Sequence, residues 1–139
     1  MINPREVSLT NWILFLLIGG ALVYYLYTKG YILANFTHLS PREAFRMLQK
    51  EGDNIIILDV REPEEVDVEG KIPGSVLIPL GKLPTEVDRL DKSKKIIVYC
   101  KNGVRSVSAA RFLSSKGFKV YNIEGGIDRW KDDGLPVEK

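Results

Sequence analysis

Lys95-Ile96-Ile97-Val98-Tyr99-Cys100-Lys101-Asn102-Gly103-Val104-Arg105-Ser106 joins two kinds of chain within a dozen positions. The first half is continuously apolar and β-branched, which suits a strand buried on both faces. The middle is short, charged and glycine-containing, which suits a tight loop. From residue 104 to residue 116 the apolar side chains Val107, Ala109, Ala110, Phe112 and Leu113 mark a helix with one face toward a core. Strand, tight loop and helix in that order are the opening of a βαβ unit.

The same alternation extends outward in both directions. Upstream, Ser40-Pro41-Arg42-Glu43 reads as a capping box with proline at the first helical position. Ala44, Phe45 and Leu48 give that helix an apolar face, and Gly52 ends it. Asn54-Ile55-Ile56-Ile57-Leu58-Asp59-Val60 is a second continuous apolar run, a second buried strand. Glu62-Pro63-Glu64-Glu65 starts a short acidic helix, Val76-Leu77-Ile78 a short strand, and residues 83–90 a helix with Pro84 near its start. Downstream, Gly117 ends the helix of residues 104–116. Phe118-Lys119-Val120-Tyr121-Asn122 is a strand, and Gly125-Gly126 opens a last helix that runs through Trp130 and stops at Gly134. Strands and helices alternating at this spacing predict an α/β domain over residues 36–139. Its central, mostly parallel sheet is flanked by helices in three layers.

Composition agrees with one compact domain plus an appendage. Apolar residues make up 45% and charged residues 27% of the 139-residue chain, a globular balance. The net charge is +2 with acids and bases interspersed, so no basic stripe points to nucleic acid. One histidine and one cysteine leave no disulfide framework and no His- or Cys-cluster metal site within one chain.

The appendage is Trp12-Ile13-Leu14-Phe15-Leu16-Leu17-Ile18-Gly19-Gly20-Ala21-Leu22-Val23-Tyr24-Tyr25-Leu26-Tyr27-Thr28. Residues 7–28 carry no charged side chain. About 20 mostly apolar residues suffice to cross the hydrocarbon core. Trp12 at one end and Tyr24, Tyr25 and Tyr27 at the other fit the two headgroup levels. A signal peptide is the competing reading, but Arg5 is offset by Glu6 and no small-x-small cleavage site follows promptly. A buried core helix and an amphipathic surface helix fit less well, because the segment is apolar all round. Residues 7–28 are therefore expected to be a single transmembrane anchor and residues 29–35 a linker. Arg5 is the only side-chain cation before the segment, whereas Lys29, Arg42, Arg46 and Lys50 follow it. The excess places the C-terminal domain in the cytoplasm, a compartment that suits a reduced cysteine.

Cys100 has two readings. A lone cysteine is often a small buried apolar residue. Here it ends a buried strand and precedes a glycine loop and a helix, where open α/β sheets place their ligands. Backbone N–H groups of the loop, the positive end of the helix dipole, and Lys101 and Arg105 all favour the thiolate. Arg105 is itself read two ways: as part of a sulfur cradle, or as a loop-stabilising ion pair with a carboxylate such as Asp59.

Four segments resemble the rhodanese family, in order and together covering nearly all of residues 36–139. Asp59-Val60-Arg61-Glu62-Pro63-Glu64-Glu65 resembles D-V-R-x-x-x-E. Gly70-Lys71-Ile72-Pro73-Gly74-Ser75 resembles G-H-I-x-G-A. Cys100 to Ser106 resembles C-[RK]-x-G-x-R-S. Gly125-Gly126 with Trp130, and then Gly134-Leu135-Pro136-Val137, resemble G-G-x-x-x-W and G-[LY]-P-V. The resemblance implies a sulfurtransferase that takes a sulfane sulfur from a donor such as thiosulfate onto Cys100 as a persulfide. It then passes the sulfur to a thiophilic acceptor such as cyanide or a thiol, with no metal or organic cofactor. It implies that Lys101, Asn102, Gly103, Val104 and Arg105 form the sulfur-binding loop and that Asp59 and Arg61 support it. Lys71 stands where histidine is common and is expected near the pocket mouth. Ser75 replaces a usual alanine, without expected effect. Gly125, Gly126 and Trp130 read as structure.

Three rival functions fit parts of the same pattern. Related α/β phosphatases use a Cys-to-Arg loop one residue longer, so the present loop suits sulfur better than phosphate. A membrane-tethered scaffold or binding module, with a membrane-protein partner, is the second. A relay of persulfide from protein to protein is the third, and it shares the chemistry at Cys100.

Overall fold

A computed structural model of the chain describes residues 8–28 and 35–139. Contacts divide the chain into two compact units, Met1–Ala34 and Asn35–Lys139.

In the first unit, helix α1 spans Ser8–Thr28 with no acidic residue in its first turn and no basic residue in its last. At about 1.5 Å per residue it is about 31 Å long, close to the roughly 30 Å of bilayer hydrocarbon. Leu9, Phe15, Leu16, Ile18, Leu22 and Tyr24 are all exposed, so apolar side chains face outward around the helix. The window Leu9–Thr28 has mean hydropathy 1.8 and is apolar enough to cross a membrane. That criterion is one of length and composition, and a signal sequence near an N-terminus also meets it. Val7, at the start of the expected span, and residues 29–34 of the expected linker lie outside the described residues.

The second unit is a five-stranded, wholly parallel sheet with helices on both faces. Its strands are β1 (Thr37–Leu39), β2 (Ile55–Asp59), β3 (Val76–Leu77), β4 (Lys95–Tyr99) and β5 (Val120–Ile123), in the spatial order β1-β5-β4-β2-β3. Its helices are α2 (Pro41–Glu51), α3 (Pro63–Glu69), α4 (Leu83–Glu86), α5 (Val104–Ser115) and α6 (Gly126–Asp132). The central strand β4 shows why its sequence runs apolar without a break. Side chains alternate across a strand, and here each face meets its own core. Ile96 and Val98, with Cys100 just beyond, join Leu58, Ala109, Ala110 and Leu113 on the α5 side. Ile97 and Tyr99 join Ala44, Ile123, Ile127 and Trp130 on the side of α2 and α6.

The capping box forms as expected. Ser40 Oγ accepts from the Glu43 N–H at 3.2 Å, and Glu43 Oε1 accepts from the Ser40 N–H at 3.2 Å. Elsewhere the structure differs from the sequence reading. The helix expected over residues 83–90 is one α-turn followed by a 3-10 turn, Val87–Arg89. The strand expected to start at Phe118 starts at Val120, because the Phe118 N–H bonds back to Leu113 and closes α5. Strand β1 had no counterpart in the sequence reading. It has three residues, two of them polar, and it exists by pairing in parallel with β5, Thr37 to Tyr121 through Leu39 to Ile123. Local pattern cannot supply such a partner.

Candidate active site

In a parallel sheet every strand delivers its carboxyl end to the same edge, and loops there are brought side by side. Asp59, the last residue of β2, lies in register with Tyr99, the last residue of β4. The Val60 N–H bonds the Tyr99 carbonyl at 3.1 Å. The segments after these two strands, Val60–Arg61 and the loop of Cys100, therefore leave the sheet together.

Cys100 is wholly buried. Its loop turns at Gly103, whose φ of +94° lies in the left-handed region that disfavours side chains. The turn directs the Gly103 N–H at Sγ, 3.1 Å away, and the Ser106 N–H also donates to Sγ, at 3.4 Å. Ser106 Oγ lies 3.5 Å from the sulfur. Ser106 is the third residue of α5, so its N–H is one of the donors that a helix start leaves free. The sulfur thus accepts from the loop and from the helix end, where partial positive charge collects. Asn102 Oδ1 accepts from the Val104 N–H at 3.3 Å and tightens the same turn.

Helix α6 supports the loop from behind. The Ile127 N–H bonds the Cys100 carbonyl at 2.9 Å, and the Asp128 N–H bonds the Lys101 carbonyl at 3.0 Å. Gly126 permits this approach: at φ +59°, a Cβ there would stand 2.5 Å from the Lys101 oxygen and overlap the Cys100 oxygen. This contact gives Gly126 a structural role, and Gly125, at φ +75°, has its own: a Cβ there would stand 2.6 Å from Arg129 Cβ. Trp130 is buried, with its indole N–H donating to the Pro136 carbonyl at 2.8 Å.

The charged residues pair differently from the sequence expectation. Arg105 does not reach Asp59. Its guanidinium meets Glu65 through two bonds of 2.7 Å, in the fork geometry favoured by arginine and carboxylate. Asp59 is taken by Arg61, whose Nη2 lies 2.7 Å from Oδ2 and 2.8 Å from the Gly70 carbonyl. Arg61 is fully buried and lies over the Tyr99 ring, 5.5 Å from its centroid. Asp59 and Arg61 therefore brace the ends of β2 and β4 and the turn at Gly70; they act on the loop through the sheet edge. Lys101 is tied to Glu69 at 2.7 Å and to Asp128 at 3.4 Å. Lys71 pairs with Glu138, through two backbone bonds of 2.8 and 2.9 Å and a side-chain contact of 3.8 Å. Its anchorage is to the C-terminal segment.

These pairings set the charge states. The Arg105 hydrogen bond holds the Glu65 carboxyl below its usual value, and Lys101 does the same for Glu69. Lys101 and Arg105 are raised in return by those carboxylates. Burial, with Asp59 nearby, pushes the Tyr99 phenol up to about 12. The neutral phenol accepts from the Ile72 N–H at 3.2 Å and shares a 2.9 Å bond with Ser75 Oγ, which also reaches the Ile72 carbonyl. Ser75, expected to be without effect, thus has a polar role beneath the site. Sequence reasoning missed Glu65, Glu69 and Ser106 as site residues. Glu65 and Ser106 are the closing letters of two quoted motifs, so their signal was present; Glu69 had none.

A Rhodanese-like domain model matches residues 40–133. The YtwF protein of Bacillus subtilis is 39% identical over 84 residues, covering 60% of this chain and 81% of that protein. The thiosulfate sulfurtransferase GlpE of Coxiella burnetii is 34% identical over 97 residues, covering 69% and 88%. The solution structure of the polysulfide-sulfur transferase homodimer of Wolinella succinogenes superposes with a TM-score of 0.71 at 31% identity. It covers 86% of this chain and 88% of that one. A parallel sheet ending in a thiol cradle, matched over most of the second unit by these relatives, makes this chain a member of the rhodanese-like family, with sulfur transfer as its general chemistry.

Proposed function

We propose that the chain is a single-pass, membrane-anchored sulfurtransferase whose domain, residues 36–139, carries sulfane sulfur on Cys100. Residues 7–28 form the anchor and residues 29–35 the linker. The excess of cations after the apolar segment, Lys29 and then Arg42, Arg46 and Lys50, supports a cytoplasmic domain. One observation carries the catalytic reading. A buried thiol at the carboxyl end of the central strand accepts N–H groups from Gly103 and Ser106, at 3.1 and 3.4 Å.

In the first half-reaction the Cys100 thiolate attacks the outer sulfur of a donor such as thiosulfate. The donor S–S bond breaks, sulfite leaves with its electron pair, and a Cys100 persulfide forms. In the second, cyanide or a thiolate attacks the terminal sulfur, and Cys100 leaves as thiolate. Each step exchanges one bond to sulfur for another, so the chemistry calls for no metal or organic cofactor. The loop Lys101–Asn102–Gly103–Val104–Arg105 holds the sulfur, and Asp59 with Arg61 keeps the loop in place. The N–H groups of Gly103 and Ser106 stabilise anionic sulfur in a site shielded from water, where preorganised donors count most.

The test is release of thiocyanate from thiosulfate and cyanide by the full chain in detergent. Turnover that disappears in Cys100→Ser, with the fold kept, supports the reading. Turnover that survives the substitution overturns it.

A further inference from the structure

The two cations of the sulfur loop are both occupied by carboxylates. Glu65 takes Arg105 with two 2.7 Å bonds, and Glu69 takes Lys101 at 2.7 Å with Asp128 at 3.4 Å behind it. Beyond these pairs the surroundings stay acidic. Residues 62–69 hold Glu62, Glu64, Glu65, Asp67 and Glu69 and no cation. Glu62, Glu64 and Asp67 are exposed. Besides Arg61, whose Nη1 lies 3.6 Å from Glu69 Oε2, Lys131, whose ammonium meets the Glu69 carbonyl, is the one further cation in contact with this group among the described residues. With Asp128, carboxylates outnumber cations around the loop by six to three. Asp59 and Arg61 neutralise each other. Positive potential at the sulfur then comes from the N–H groups of Gly103 and Ser106, which act over contact distance, and from the part-neutralised Arg105, whereas an approaching donor first meets the acidic surround.

We propose that Glu65 and Glu69, by pairing Arg105 and Lys101, withdraw the loop's cations from donor recognition, so that the site selects weakly charged sulfur donors over dianionic ones. The favoured class is a persulfide on a neutral or cationic thiol carrier. Cys100 attacks its outer sulfur, the carrier thiolate leaves, and the persulfide passes to Cys100 with no change in overall oxidation state. Thiosulfate, a dianion, is accepted but approaches against the field. This inference rests on the proposed sulfur transfer and names its donor class. Glu65 and Glu69 act through Arg105 and Lys101 and are positioning residues.

Cys100 is the only cysteine, so charged thiol reagents report the field directly. The full chain in uncharged detergent is treated with 2-aminoethyl and with 2-sulfonatoethyl methanethiosulfonate, and each rate is divided by that for free cysteine. At low salt the cationic reagent is expected to be favoured about fivefold, and the preference to shrink as salt screens the charges. Glu69→Gln, which removes one carboxylate and leaves Lys101 with Asp128 alone, moves the ratio toward the anionic reagent. Glu64→Gln/Asp67→Asn, at exposed positions outside the ion pairs, moves it the same way and guards against misfolding of the first variant. A ratio equal to that of free cysteine, or one favouring the anionic reagent, overturns the proposal. Modification of Cys100 by these reagents does not require that it carry sulfur in turnover, so the result is separable from failure of the sulfurtransferase reading. In donor assays, kcat/KM should be higher for cysteamine persulfide than for thiosulfate, and the thiosulfate value should rise with salt. A thiosulfate value that falls with salt contradicts the acidic field.

Discussion

Gly126→Ala tests how helix α6 holds the Cys100 loop, and the structure supplies its magnitude. The residue sits at φ +59°, so any L side chain there bears the left-handed penalty, about 1–2 kcal/mol. The new Cβ would stand 2.5 Å from the Lys101 carbonyl oxygen, closer than a carbon can lie to an oxygen, and the neighbour is backbone. The helix must draw back, and that breaks the bonds from Ile127 and Asp128 to the loop carbonyls. Each is a net loss of about 1 kcal/mol. The sum is about 3–4 kcal/mol, and at about 4 °C per kcal/mol for a domain of this size Tm falls by more than about 10 °C. Gly117→Ala is the control. Gly117 also has positive φ, +94°, but a Cβ there meets nothing within 4 Å. It bears the backbone penalty alone and loses only a few degrees. Near-ultraviolet circular dichroism of the full chain in detergent, through the buried Trp130, reads both melts. If the two variants melt within about 3 °C of each other, the close approach at Gly126 does not hold the loop, and the account of α6 is wrong.

Three further outcomes are expected. Asp59→Asn leaves the buried Arg61 with a full charge, the Gly70 carbonyl and a 3.6 Å contact to the part-exposed Glu69; stability should fall by about 3 kcal/mol, the low end for a broken buried pair, read as a lower urea midpoint. The Glu65 carboxyl is held below its ordinary value near 4.5 by Arg105, so its stabilisation is full above that pH and is lost as pH falls through the depressed folded value. Glu65→Gln should therefore melt below the wild type at pH 7, and the gap should close in acid; a gap that stays constant with pH removes this pair from the stability balance. Deleting residues 1–34 should leave a soluble domain that still transfers sulfur, because residues 35–139 form their own compact unit; an insoluble, unfolded product would assign the apolar segment to the core.

Sequence pattern located the turn around Cys100 because three local signals coincide there. A continuous apolar strand, a glycine able to take positive φ, and a helix start are each written in neighbouring residues, and together they fix where Sγ must lie. The two-sided burial of β4 was legible for the same reason. What escaped was set by partners distant in the chain. Strand β1 exists through β5, more than eighty positions away. Sequence offers Asp59 among the carboxylates for Arg105, whereas the structure pairs it with Glu65, forty residues before it. Asp59 had already met Arg61, two residues on. Charge type is readable from a sequence, but which of several nearby acids faces a given cation depends on how α3 lies across the strand ends. The consequence is chemical: Lys101 and Arg105, read as positive charge offered to the sulfur, are engaged by Glu69 and Glu65.

The claim that Cys100 carries sulfur is tested most directly by intact mass. The full chain is incubated with thiosulfate or cysteamine persulfide, weighed, and weighed again after cyanide. The account predicts a gain of one sulfur atom, mapped to Cys100, absent in Cys100→Ser and removed by cyanide as thiocyanate. A folded chain that gains no sulfur from either donor, or that gains it equally in Cys100→Ser, would contradict it.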